Sequence, residues 1–151
     1  MAEDDQGHFL LTKKYLKARG VQNEIRWFAG GKETLDFFFD EHGLSRDLDV
    51  EELVLMLDLR MPEIDGMEVL EKIKLNPELS EMPIIVLTAS DNPVVIDKAS
   101  KLGAEAYIVK PVRYSSYIDA MRKVGLFPTV VENGVVLRKQ KRTLSRHAGK
   151  I

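Results

Sequence analysis

Three short apolar runs each lead into a side chain that can do chemistry. "LVLML" (residues 53–57) runs into Asp58, "MPIIVL" (residues 82–87) into Thr88 and "AEAYIV" (residues 104–109) into Lys110. Apolar runs of this length, bounded by polar residues, are the pattern of strands covered on both faces. Between and after them lie stretches with helical spacing: "GMEVLEKIKLN", "NPVVIDKASKLG" and "RYSSYIDAMRKVG". Strands alternating with helices leave few solutions, and the simplest is an α/β doubly wound parallel sheet with helices on both faces. In such sheets function gathers outside the carboxyl ends of the strands, near the switch in strand order. An acid, a hydroxyl and an amine at three successive strand ends are therefore expected to share one place.

The first part of the chain extends the pattern. Residues from about His8 to Arg19 read as a helix stopped by Gly20. "EIRWFA" reads as a strand, "GG" as a turn, and "KETLDFFFDEHG" as a helix ending at Gly43. Asn92 is the expected N-cap of a later helix, with Pro93 in its first turn. A chain of 151 residues suits one core. With no cysteine, disulfides, thiolate metal sites and cysteine nucleophiles are excluded. His8, His42 and His147 have no metal-ligand spacing. No apolar run is long enough for a bilayer and no basic-then-apolar leader opens the chain, so a cytoplasmic protein is expected. The net charge of −2 conceals an asymmetry: residues 138–151 hold six Lys or Arg and no acid, leaving 16 basic against 24 acidic residues elsewhere, a net of −8.

A carboxylate that closes a run as apolar as "LVLML" is desolvated unless a cation or hydrogen-bond donors meet it. After Asp58, "RMPEIDG" supplies Pro62 to fix a turn and Gly66 to permit an unusual backbone at the next helix start. Lys110 precedes Pro111, where a cis peptide is plausible. With "EDD", "LVLMLDLRMPEIDGMEVL", "MPIIVLTAS" and "LGAEAYIVKP", the chain resembles the receiver domain of two-component response regulators over residues 3–127. "KLNPELSEMPIIVLTASD" and "VGLFPTVVE" look most like the single-domain regulators paired with bacterial phytochrome kinases.

The resemblance implies a flavodoxin-like five-stranded fold and a set of roles. Asp58 becomes the phosphoacceptor, and Asp4 and Asp5 the acidic pair that holds Mg2+ together with Asp58 and the backbone carbonyl of Arg60. Thr88 and Lys110 bind the phosphoryl oxygens, and Tyr107 is the aromatic that reorients with Thr88. A divalent cation offsets the repulsion between an anionic nucleophile and an anionic phosphoryl group. The Arg60 side chain and Ser90 stand near the acceptor's entrance with no role assigned. The implied partner is a sensor histidine kinase, and the finer resemblance points to the phytochrome type. No DNA-binding unit is expected after residue 127, so output passes by protein contact near Tyr107 and the last helix. Val124, Leu126 and Phe127, read as exposed, point to a homodimer there. The basic tail is a further surface for an acidic partner or nucleic acid.

One element is short. The resemblance expects an apolar strand before the acidic pair, between the strands holding Trp27 and Leu55, but only "MAE" precedes Asp4. Five lost apolar residues at ~1.5–3 kcal/mol each amount to about 7–15 kcal/mol, comparable with the roughly 5–15 kcal/mol stability of a domain. Three remedies are open: a longer natural chain, a strand exchanged with a second copy, or repair by "TVVENGVVLR", where Asn133-Gly134 signals a hairpin. The expected division is thus a receiver domain at residues 1–127 with a truncated first strand, and an extension at 128–151. Two other functions compete with the switch. One is a degenerate receiver that binds partners without switching. The other is an aspartate-nucleophile phosphatase, which wants a second acid where this chain has Arg60.

Overall fold

The computed structural model describes residues 1–89, 91–131 and 134–139. Its elements are α1 (Gln6–Ala18), α2 (Gly31–Phe38), β1 (Leu55–Asp58), α3 (Gly66–Leu75), β2 (Ile84–Thr88), α4 (Pro93–Leu102), β3 (Ala106–Val109), α5 (Tyr114–Lys123), β4 (Leu126–Val131) and β5 (Gly134–Lys139). β1, β2 and β3 form a parallel sheet in that order, with Asp58 opposite Leu87 and Thr88 opposite Val109. The architecture is the expected flavodoxin-like α/β arrangement, a parallel sheet with helices on both faces. Side-chain alternation sends Met56, Ile85 and Leu87 to a core shared with α1 and α5. Leu55, Leu57, Ile84 and Val86 go to a second core under α2, α3 and α4. Among the described residues no helix is long and apolar enough to cross a membrane.

The first-strand position is held by three residues. Ala2 bridges in parallel to Phe28 on one side and Leu57 on the other. Its N–H donates to the Met56 carbonyl (2.8 Å) and its carbonyl accepts from the Asp58 amide (3.0 Å). Across the other edge, Phe28 N donates to Met1 O and Glu3 N to Phe28 O. The strand expected over residues 24–29 consequently shrinks to a single bridge at Phe28, because its neighbour is too short to pair with the rest. Trp27 stacks on Phe9 with ring centroids 5.3 Å apart and donates its indole N–H to the Glu3 carbonyl (2.7 Å), tying the segment to α1.

Local signals mostly behave as read. Asn92 caps α4 through Val94 N with Pro93 in the first turn, and the Lys110–Pro111 peptide is cis. α2 ends five residues before Gly43: Phe39 turns extended and bridges Ser45, while Asp40 takes the amides of His42 and Leu44. Gly66 has no positive φ, so conformational freedom is not why it is there. A Cβ on it would lie 2.1 Å from the Asp58 carbonyl oxygen and 2.6 Å from Leu59 Cα. α3 starts hard against the back of β1, where only hydrogen fits.

The hairpin is its own antiparallel two-stranded sheet, closed by Val131 opposite Gly134. Gly134 is therefore a strand residue; Asn133, Ser90 and the tail from residue 140 on lie outside the described residues. The hairpin does not enter the first-strand slot. Leu126, expected on the surface, is buried in the α1–α5 core and Val124 packs against it, since β4 leaves α5 across that core; Phe127 alone of the three is exposed.

Gly66→Ala should destabilise the fold by about 2 kcal/mol or more through overpacking against backbone, read as a lower urea midpoint at unchanged m-value.

Candidate functional site

The carboxyl ends of β1, β2 and β3 meet where the segment 1–3 emerges. Asp58 closes β1 and Thr88 closes β2, 4% and 5% exposed. Lys110 follows β3, and its amide donates to the Thr88 carbonyl (2.8 Å), which fixes where its side chain starts. The Lys110 ammonium then lies between two buried acids, 2.7 Å from Asp58 Oδ2 and 2.6 Å from Glu3 Oε2. The second oxygens are also held: Asp58 Oδ1 accepts from the Arg60 amide (3.0 Å) and Glu3 Oε1 from the Asp5 amide (3.1 Å).

The acids that gather with Asp58 are Glu3 and Asp4, whereas the sequence reading pairs Asp4 with Asp5. Carboxylate oxygens of Glu3, Asp4 and Asp58 lie within 4.8 Å of one another. Asp5 is instead the N-cap of α1, its Oδ1 accepting from His8 N at 3.0 Å, and that hydrogen bond holds its pKa below the ordinary value. Three consecutive acids left the register open in the sequence. The signal that decides it is that an Asp directly before a helix start is a preferred cap, once the helix is begun at Gln6 rather than at His8. Glu3 was missed altogether, though it is the most enclosed acid of the site at 1% exposure.

Burial pushes the Glu3 pKa up, against the opposing pull of its hydrogen bond to Lys110. Burial pulls Lys110 down, but its hydrogen bonds to Asp58 and Glu3 outweigh this and leave the ammonium raised. Three carboxylates against one ammonium give an ionised net charge of −2 on the cluster, with Asp4 on the solvent side. This donor set suits a hard divalent cation: carboxylate oxygens, no sulfur and no histidine in the cluster. His8 stays outside it, with Nδ1 4.0 Å from Glu3 Oε1.

The Arg60 side chain is exposed and shares a cavity of ≈ 320 Å³ with Thr88, Asn92 and Lys98. Tyr107 stands apart from the cluster. It points outward from β3 at 45% exposure, with the Lys123 ammonium 5.8 Å from its ring centroid.

Comparison with known proteins gives concordant results. Residues 1–122 match the family model described as response regulator receiver domain. The chain is 32% identical over 124 residues to the probable methanogenesis regulatory protein FilR2 of Methanothrix harundinacea, covering 82% of this chain and 76% of that protein. Among solved structures it is similar to the bacteriophytochrome response regulator AtBRR, at TM-score 0.73 and 28% identity over 87% of this chain and 94% of the other. It is also similar to the Mn(2+)-bound form of response regulator Rcp1, at TM-score 0.60 and 27% identity over 82% and 85%.

Lys110→Met leaves two buried carboxylates facing each other and should cost about 3 kcal/mol in chelator-treated protein. Adding Glu3→Gln to it should recover part of that loss, a non-additivity measurable by chemical denaturation of the double-mutant cycle.

Proposed function

The chain belongs to the response regulator receiver domain family, whose members are signalling regulators rather than enzymes, and from this premise we propose that it is a phosphorylation-controlled switch with Asp58 as the acceptor. The observation that carries this reading is the contact of Asp58 Oδ2 with the Lys110 ammonium at 2.7 Å, inside a three-carboxylate cluster. The phosphodonor is a sensor histidine kinase, and similarity to a bacteriophytochrome response regulator favours the phytochrome type.

Glu3, Asp4 and Asp58 are the side chains that would hold Mg2+, with the Arg60 carbonyl as a further ligand carried over from the family. The ion would supply positive charge to the transferring phosphoryl oxygens. The chain's own groups do the rest. An Asp58 carboxylate oxygen forms the new O–P bond while the donor nitrogen leaves with the electron pair of the old one. Lys110 exchanges its bond to Asp58 for one to a phosphoryl oxygen, and the Thr88 hydroxyl donates to another. Water attack on the aspartyl phosphate returns Asp58 and inorganic phosphate. Reorientation of Thr88 and Tyr107 carries the change to the face where Tyr107 and Phe127 are exposed. Contact with another protein there, a second copy included, is the output.

With Mg2+ and acetyl phosphate, intact mass should show one added phosphoryl group on the natural chain and none on Asp58→Asn; phosphate persisting on the variant would exclude this assignment. The Trp27 indole is bonded to the Glu3 carbonyl, so its fluorescence should report Mg2+ binding. By that readout Glu3→Gln and Asp4→Asn should weaken Mg2+ about tenfold or more. Asp5→Asn, which keeps a good helix cap, should change affinity little. Protons compete with the metal for Glu3. Its pKa lies above the ordinary 4.5, so affinity should begin to fall, as pH is lowered, sooner than an unperturbed glutamate would allow.

A further inference from the structure

The cavity of ≈ 320 Å³ beside Thr88 has a character opposite to that of the acidic cluster. Arg60 and Lys98 line it, and among the described residues no acid does. Neither cation forms an ion pair among the described residues, whereas Lys101, on the same helix, is held by Asp97 at 2.7 Å. Three and four residues to either side, Lys98 meets Val94, Val95, Lys101 and Leu102, so α4 offers it no acid. Leu59 and Met67 on one side and Val94 and Val95 on the other give the cavity apolar walls.

This space adjoins the acceptor. Thr88, which closes β2 and is 5% exposed, belongs to its lining. The Arg60 amide donates to Asp58 Oδ1 at 3.0 Å, so the Arg60 side chain sets out from the acceptor itself. A phosphoryl group arriving at Asp58 therefore has the rest of its donor molecule next to the cavity. The volume lies at the lower end of the roughly 300–1,000 Å³ typical of small-molecule sites. It equals on the order of ten waters at roughly 30 Å³ each, more than an acetyl group fills.

We infer that this cavity seats a small-molecule phosphodonor, an acyl phosphate whose alkyl chain is longer than that of acetyl. The inference rests on Asp58 as acceptor and names a second class of donor for that same site. An Asp58 carboxylate oxygen forms its bond to phosphorus while the bond from phosphorus to the acyl oxygen breaks. The electron pair stays on the acyl oxygen, a carboxylate leaves, and no proton has to move. Negative charge grows on the leaving carboxylate, where Arg60 and Lys98 stand. Phosphoramidate, which releases ammonia after taking up a proton, draws less from two cations. The alkyl chain lies between Met67 and Val95, and each CH2 buried there is worth about fourfold.

Initial rates of Asp58 phosphorylation, read by intact mass on the full chain with Mg2+, compare acetyl, butyryl and octanoyl phosphates with phosphoramidate. The acyl donors have leaving groups of nearly equal basicity, so differences among them report the cavity. Butyryl phosphate should react about fivefold faster than acetyl phosphate, and octanoyl phosphate no faster than butyryl. Arg60→Gln/Lys98→Gln should lower the ratio of butyryl phosphate to phosphoramidate rates about tenfold. Val95→Phe, which fills the space, should remove the advantage of butyryl over acetyl. Butyrylphosphonate, an analogue that cannot hand over its phosphoryl group, should shift the Met67 and Val95 methyl resonances saturably. It should bind about fivefold more tightly than acetylphosphonate. Equal rates for acetyl and butyryl phosphates, a double variant that slows every donor alike, or an analogue that leaves those methyls unmoved overturns the proposal. Labelling by phosphoramidate alongside any of these results leaves Asp58 standing as the acceptor, whereas labelling by no donor removes both readings.

Discussion

Ala2 belongs to two ladders at once, and the rest of the site depends on that. Its main chain bonds Met56 O and Asp58 N on one side, while Met1 and Glu3 bond Phe28 on the other. Four such bonds, at roughly 0.5–1.5 kcal/mol net apiece, give only a few kcal/mol. Yet they fix the position of Glu3, and Glu3 sets one end of the bridge through Lys110. Local helix or turn geometry alone does not set this position, because the groups that fix Glu3 include Phe28 and the Lys110 ammonium, the latter 107 residues away in sequence. The short segment can hold this position because it lies along the edge of the β1–β2 pair rather than forming a sheet of its own.

Lys110 makes the buried acids compatible. Without it, Glu3 and Asp58 would put two charges in a place where neither is more than 4% exposed. Each acid spends one oxygen on the ammonium and the other on a backbone amide, and among the described residues no buried side-chain polar atom lacks a partner. The arrangement is satisfied electrically only in part. A cluster net of −2 at the mouth of a sheet stays attractive to a dication, which is how a site can be folded and receptive together.

Asp58, Thr88 and Lys110 were legible because each closes an apolar run, and the parallel sheet converts that one-dimensional pattern into a shared end. Asn92 and Pro93 were legible because capping is local. The acidic register was not. In "EDD" every position carries a carboxylate; with the helix begun at His8 the cap signal at Asp5 is lost, and it is the pairing of Ala2 with Leu57 that turns Glu3 toward Lys110. The reason for Gly66 was likewise hidden, since a close approach to the Asp58 carbonyl is a tertiary fact with no trace in the φ preferences that glycine usually signals. Leu126 failed for the same reason: a residue after a helix reads as surface until a strand is seen to continue across the core.

The segment 1–3 links the sheet to the acidic cluster. Ala2 N–H is bonded to the Met56 carbonyl, and the Ala2 carbonyl accepts from the amide of Asp58. The next residue, Glu3, stands in the cluster with Asp4 and Asp58. A cation that drew these three carboxylates together would therefore tighten the same segment against Phe28 and β1. Tightening of this kind needs no rearrangement of the sheet, because the segment that carries Glu3 is the one that joins the ladder.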